Sequence, residues 1–80
     1  MSRQKITDKI NSFLIEEMEI DPEKVTPNAR LRDDIGIDSL DYVDVVAFVT
    51  KTFGFKVEKE EFNKLTTLGE FYDYVVMRSS

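Results

Sequence analysis

Apolar residues recur at helical spacing along most of this chain, and the breaks between the periodic stretches are as informative as the stretches. Ile6, Ile10, Phe13 and Leu14 share one face while Asp8, Lys9, Glu16 and Glu17 lie largely elsewhere, which predicts an amphipathic helix from about residue 3 to 18. From Glu19 to Asp38 the periodicity disappears, and Pro22, Pro27, Asn28 and Gly36 punctuate the segment. A loop of this length in a small chain is usually functional or disordered. The spaced apolar residues Val25, Leu31, Ile35 and Ile37 argue for a loop pinned to the core.

Asp38 is a good N-cap, and Asp41 three residues on imitates a capping box, so a second helix is expected from Ser39 to about Phe53, with Gly54 as its stop. The β-branched Val43, Val45, Val46 and Val49 favour a strand, but their place between two caps is better explained by a buried helix. On a wheel of about 100° per residue, Tyr42, Val46, Val49 and Phe53 form the expected core face. Asp44 and Lys51 fall opposite, flanked by Leu40 and Ala47, and Phe48 is left either to pack on the third helix or to widen the outer patch. A short helical turn near Lys59 to Lys64 follows. Thr67-Leu68-Gly69-Glu70 then has the capping-box pattern and opens a last helix carrying Leu68, Phe71, Tyr72, Val75 and Val76. The expected fold is all-α: four helices in one domain over residues 1–80, with a long first loop and a short third helix.

Composition narrows the chemistry. The chain of 80 residues has no His and no Cys, which removes Ser-His-Asp and Cys-His nucleophile pairs, thiolate redox sites and the usual zinc sites. Carboxylate pairs alone have little room for a substrate cleft beside a core of this size. The protein is therefore expected not to be an enzyme. No stretch has signal-peptide character or the length of a membrane span, Met1-Ser2 lacks the glycine of a myristoylation site, and the absence of Cys fits a reducing compartment. A cytoplasmic, freestanding monomer beginning at Met1 is the expectation.

Charge matters more when located than when summed. The net charge is −5, and the segment from Asp33 to Asp44 holds Asp33, Asp34, Asp38, Asp41 and Asp44 with no base, so the whole imbalance lies there. Such a field steers basic partners and repels nucleic acid. A solvated acidic loop explains the cluster equally well, except that Ser39 stands at its centre. At the first turn of a helix a serine hydroxyl faces the positive end of the dipole, a favourable setting for a phosphate ester. Against this, Asp38-Ser39 is also an ordinary helix start.

The run Asp33-Asp34-Ile35-Gly36-Ile37-Asp38-Ser39-Leu40-Asp41, taken with Val25-Thr26-Pro27 before it and Lys64-Leu65-Thr66-Thr67-Leu68-Gly69 after it, resembles the acyl carrier proteins of fatty-acid and polyketide synthesis. The resemblance covers nearly the whole chain. It implies a four-helix bundle in which Ser39 receives 4′-phosphopantetheine from coenzyme A. A separate Mg²⁺-dependent phosphopantetheinyl transferase would help the hydroxyl attack phosphorus and release the adenosine diphosphate part. The terminal thiol would then hold acyl groups as thioesters. The resemblance also implies that Asp38 positions the helix start, and that Leu40, Asp41, Asp44 and Ala47 meet basic docking patches on acyl-transferring and acyl-modifying enzymes. Family members often shelter the acyl chain between the second and third helices, which here involves Val46, Val49, Phe62 and Leu65; simple core packing explains the same four residues.

Two departures bear on specificity. Where fatty-acid carriers commonly have acids near the end of the second helix this chain has Thr50-Lys51-Thr52, and Arg30 and Arg32 bring positive charge before the acidic run. Both point to a specialised carrier that docks through the upper end of the helix. Peptidyl carriers more typically have Gly-Gly-His-Ser where this chain has Gly36-Ile37-Asp38-Ser39, which makes a peptidyl or aminoacyl carrier the weaker alternative. Two readings outside the family stand beside these: a divalent-cation sensor, although Ile35 and Ile37 break the EF-hand spacing, and an acidic helical interaction module with no prosthetic group.

Overall fold

A computed structural model describes residues 2–79; Met1, on which the expectation of a freestanding start rested, lies outside them. The described residues form four helices and no strand: α1 Arg3–Ser12, α2 Ser39–Phe53, α3 Lys59–Lys64 and α4 Leu68–Ser79. A short 3-10 turn, Pro22–Lys24, interrupts the long loop. Ser2 caps α1 by accepting from the Lys5 N–H.

The first helix departs from its expected course. Beyond Ser12 it widens into a π-helical turn, Phe13–Glu17, closed by the Met18 N–H on Phe13 O at 3.2 Å and the Ile20 N–H on Leu14 O at 2.9 Å. The chain then reverses through Glu19 at φ 55°, a left-handed residue where glycine would be unstrained. The widened turn accompanies a contact that helical periodicity does not encode, because Phe13 stacks on Phe48 of α2 with centroids 4.2 Å apart and planes at 10°. Phe48 also meets Phe53 edge-on at 5.8 Å. Phe48 therefore packs against the end of the first helix instead of the third, and lies half-buried beside the outer residues Asp44, Ala47 and Lys51.

On α2 the buried residues are Val45 and Val49, while Tyr42, Val46 and Phe53 pack half-buried at the margin. The core face is thus rotated from the expected one toward Val45, the side on which Phe48 leans on Phe13. Ile6, Ile10 and Leu14 of the first helical segment, Phe62 of α3, and Leu68, Phe71, Tyr72, Tyr74 and Val75 of α4 complete the core with loop residues.

Four loop residues, Ala29, Leu31, Ile35 and Ile37, are buried, and Val25 is half-buried. The loop is also stitched to the start of α4. The Leu31 N–H donates to Thr66 O, the Leu68 N–H to Ala29 O and the Gly69 N–H to Pro27 O, each at 2.9 Å, around an antiparallel bridge between Arg30 and Thr67. A Cβ at position 69 would lie 3.1 Å from Pro27 O, which explains the glycine there. The two distant runs Val25-Thr26-Pro27 and Thr66-Thr67-Leu68-Gly69 are therefore partners in one stitch. Both expected capping boxes form, at Asp38/Asp41 and at Thr67/Glu70.

Three tyrosines anchor the bundle through their hydroxyls. Tyr42 donates to Val57 O at 2.8 Å, Tyr72 donates to Asn11 on α1, and Tyr74 donates to Glu61 at 2.8 Å, where Arg78 also pairs with the carboxylate. Burial raises all three above the ordinary value of 10.0, helped at Tyr42 by Glu58 and at Tyr74 by Glu61. A phenol held neutral in the fold binds its proton more tightly than in the unfolded chain. Its contribution is whole below pH 10 and is lost as pH rises through the raised folded values. Ultraviolet titration is expected to show tyrosinate appearing together with unfolding above pH 10; reversible ionisation at the ordinary value in a folded protein would contradict it.

Candidate functional site

The site is built where the pinned loop turns into α2. Asp34 N–H and Ile35 N–H donate to Arg30 O at 3.0 and 2.9 Å, and the Arg30 N–H donates back to the Asp34 carboxylate at 2.8 Å. Gly36 takes φ 88°, and Ile35 and Ile37 are buried on either side of it. Those two anchors leave the next residues outside the core. Asp38 is extended at φ −112°, and its Oδ1 accepts from the N–H groups of Leu40 at 2.9 Å and Asp41 at 3.1 Å. Asp41 completes the box by accepting from the Asp38 N–H at 3.2 Å. Replacing Asp38 by alanine removes these bonds and is expected to cost about 1–2 kcal/mol, read as a lower midpoint in thermal unfolding. An unchanged midpoint would show that the box does not hold the start of α2.

Ser39 is therefore the first residue of a firmly capped helix, exposed to solvent. The acidic cluster around it does not act as a unit. Asp33 pairs with Arg30 at 3.6 Å, Asp34 closes the loop, and Asp38 and Asp41 hold the cap. Asp44 is exposed and makes no ion pair or side-chain hydrogen bond among the described residues. Among the described residues no group of three or more acidic side chains converges on a metal position.

On the outer face of α2, Leu40 is 80% and Val43 65% exposed, with Ala47 and Asp44 exposed beside them. Sequence reasoning had Leu40, Asp44 and Ala47 on this face but passed over Val43, three residues from Leu40 and visible on the same wheel.

On the other side of Ser39 lies a small cleft of about 70 Å³, bounded by Ile37, Tyr42, Phe62, Arg32 and Lys59 among others. Its floor is aromatic: the Phe62 ring lies 5.4 Å from Tyr42 and 6.2 Å from Phe71. Of the four residues expected to shelter an acyl chain, Val49 and Phe62 are buried in the core and Val46 and Leu65 are half-buried against it. The cleft holds roughly two waters' volume.

The described residues thus form a small helical bundle with an exposed serine at a capped helix start. A family model described as "Phosphopantetheine attachment site" matches residues 8–75. The chain is also 39% identical over 74 residues to an acyl carrier protein of Thermotoga maritima, covering 92% of this chain and 91% of that one. It is 38% identical over 76 residues to an acyl carrier protein of Rubrobacter xylanophilus, covering 95% and 94%. An acyl carrier protein of Thermosynechococcus vestitus is 32% identical over 75 residues, covering 94% and 93%. The chain belongs to the acyl carrier protein family, whose members carry covalent 4′-phosphopantetheine. Members of this family are carriers and not catalysts.

Proposed function

We propose that Ser39 is the attachment point of 4′-phosphopantetheine, and that the protein shuttles acyl groups between enzymes of fatty-acid, polyketide or related specialised lipid biosynthesis. The observation that carries this is the position of Ser39: the first residue of α2, exposed, with its neighbour Asp38 locking the helix start. The group fits there, since an exposed hydroxyl beside an open cleft can be reached by a transferase without unfolding the bundle. When bound, the arm supplies a terminal thiol for thioester chemistry, which a chain without cysteine cannot supply itself.

The chain's own residues then present the arm and select partners. Leu40, Val43 and Ala47 form an apolar strip beside Asp44 and Asp41, a surface suited to an enzyme with a basic rim around an apolar groove. A charge at such a rim sets encounter rate more than final affinity, as a carrier that must leave each enzyme requires. Asp44→Lys is expected to slow association with an acyl-transferring partner by on the order of tenfold at low salt, the deficit shrinking as salt screens the field. Stopped-flow association at two ionic strengths reads this, and equal rates for both proteins would remove Asp44 from the docking surface. No helix among the described residues is long and apolar enough to cross a membrane, and we place the protein in the cytoplasm as a monomer.

Incubation with coenzyme A, Mg²⁺ and a broad-specificity phosphopantetheinyl transferase tests the assignment. The intact mass is expected to rise by one phosphopantetheinyl group. No rise, with a known carrier modified in parallel, would leave a bare acidic interaction module.

A further inference from the structure

A phosphodiester on Ser39 places a negative charge between Asp38 and Asp41, where like charges repel it. The N-terminus of a helix ordinarily offers free N–H groups to such an anion. On α2 the Asp38 carboxylate already occupies those of Leu40 and Asp41, and its own charge offsets the positive end of the dipole. The setting that looks favourable in the sequence is therefore largely taken by the cap.

Compensating charge lies across the cleft. Arg32, from the loop, and Lys59, the first residue of α3, line it together with Ser39 and Asp38, whose carboxylate is engaged in the helix cap. The Arg32 guanidinium is held in place by neutral groups: it donates to Asn63 Oδ1 at 3.0 Å and to Leu65 O at 3.4 Å, and it lies 5.8 Å from the Phe62 ring centroid. Neither Arg32 nor Lys59 has a carboxylate partner among the described residues. Two bonds leave other guanidinium N–H groups available, and their planar fork suits phosphate oxygens, while lysine adds a mobile point charge.

We infer that Arg32 and Lys59 form an anion seat for the phosphodiester of the group attached to Ser39. The inference rests on the attachment proposed above. Phosphorus bonds directly to the Ser39 oxygen, so the phosphate is the part of the arm that cannot leave the neighbourhood of the cleft. Seating it there draws the root of the arm toward α3 and leaves the Leu40 and Asp44 face clear for partner enzymes. Arg32 and Lys59 are positioning residues in this account.

The phosphorus NMR resonance of the loaded protein tests this, with loading first confirmed by mass. Wild type, Lys59→Gln and the double variant Arg32→Gln/Lys59→Gln are each compared with the same loaded chain in denaturant. The folded wild-type resonance is expected to be displaced from the denatured position, the displacement to fall in Lys59→Gln and with added salt, and to vanish in the double variant. A wild-type resonance at the denatured position, or a displacement unchanged by Lys59→Gln and by salt, overturns the seat while leaving the attachment intact. Because Lys59 is exposed and makes no side-chain bond among the described residues, Lys59→Gln and salt decide the matter even where the double variant fails to fold. Failure to load the wild type at all overturns the attachment and the seat with it.

Discussion

Replacing Phe62 by alanine is expected to lower the stability of the bundle by about 3–5 kcal/mol. Phe62 is 4% exposed and is the one buried residue of the short helix α3. Its ring meets Tyr42 of α2 at 5.4 Å and Phe71 of α4 at 6.2 Å, so truncation opens a cavity bordered by three helices. It also takes away the surface over which Arg32 is held. A six-residue helix has too few hydrogen bonds to persist without its anchor. Domains of this size have a total stability of roughly 4–12 kcal/mol, so a sizeable share of it would be gone. Urea unfolding followed by circular dichroism is the measurement, with a lower midpoint expected at a similar slope. A loss below about 1 kcal/mol, far under the range for a buried Phe, would mean that α3 is held by something other than Phe62.

The parts of this structure legible in the sequence are those with local causes. The boundaries of α2 follow from Asp38, Asp41 and Gly54, and those residues make a capping box and a left-handed stop at φ 82°. The start of α4 follows in the same way from Thr67 and Glu70. The loop anchors Leu31, Ile35 and Ile37 were legible because isolated apolar residues in a polar stretch have few other uses. What was not legible depends on how helices lie against one another. Helical periodicity places Tyr42 and Val46 on the core face of α2, whereas Val45 is buried, on the side where Phe48 stacks on Phe13. The widened turn after Ser12 belongs to that same contact, 35 residues apart in the chain.

The candidate site divides along the same line. Ser39, Asp38, Leu40, Asp41, Asp44 and Ala47 are contiguous or share a helix face, so spacing alone places them near one another, while their reading as one site comes from the resemblance to acyl carrier proteins. Arg32 was visible only as an unexpected positive charge before the acidic run. Its bonds to Asn63 and Leu65 cross more than 30 positions, and no local pattern forecasts that it and Lys59 would share a cleft with Ser39.

The second large effect belongs to Ser39 itself. Ser39→Ala is expected to abolish attachment of the arm outright while changing stability by no more than about 0.5 kcal/mol, because the side chain is exposed and the cap is made by Asp38. The other serines among the described residues lie elsewhere: Ser2 caps α1, Ser12 belongs to its last turn, and Ser79 ends α4 with its hydroxyl donating to Val76 O at 3.5 Å. A merely structural serine would leave the two proteins alike in every functional assay.

The absence of cysteine makes the decisive measurement simple. Free thiols are titrated in wild type and in Ser39→Ala after treatment with coenzyme A and the transferase and removal of small molecules. The chain alone contributes none, so every thiol found is the arm's. One thiol per wild-type chain and none in Ser39→Ala is the predicted result; no thiol in the wild type, or one that survives the substitution, would contradict the assignment of Ser39 as the carrier's attachment site.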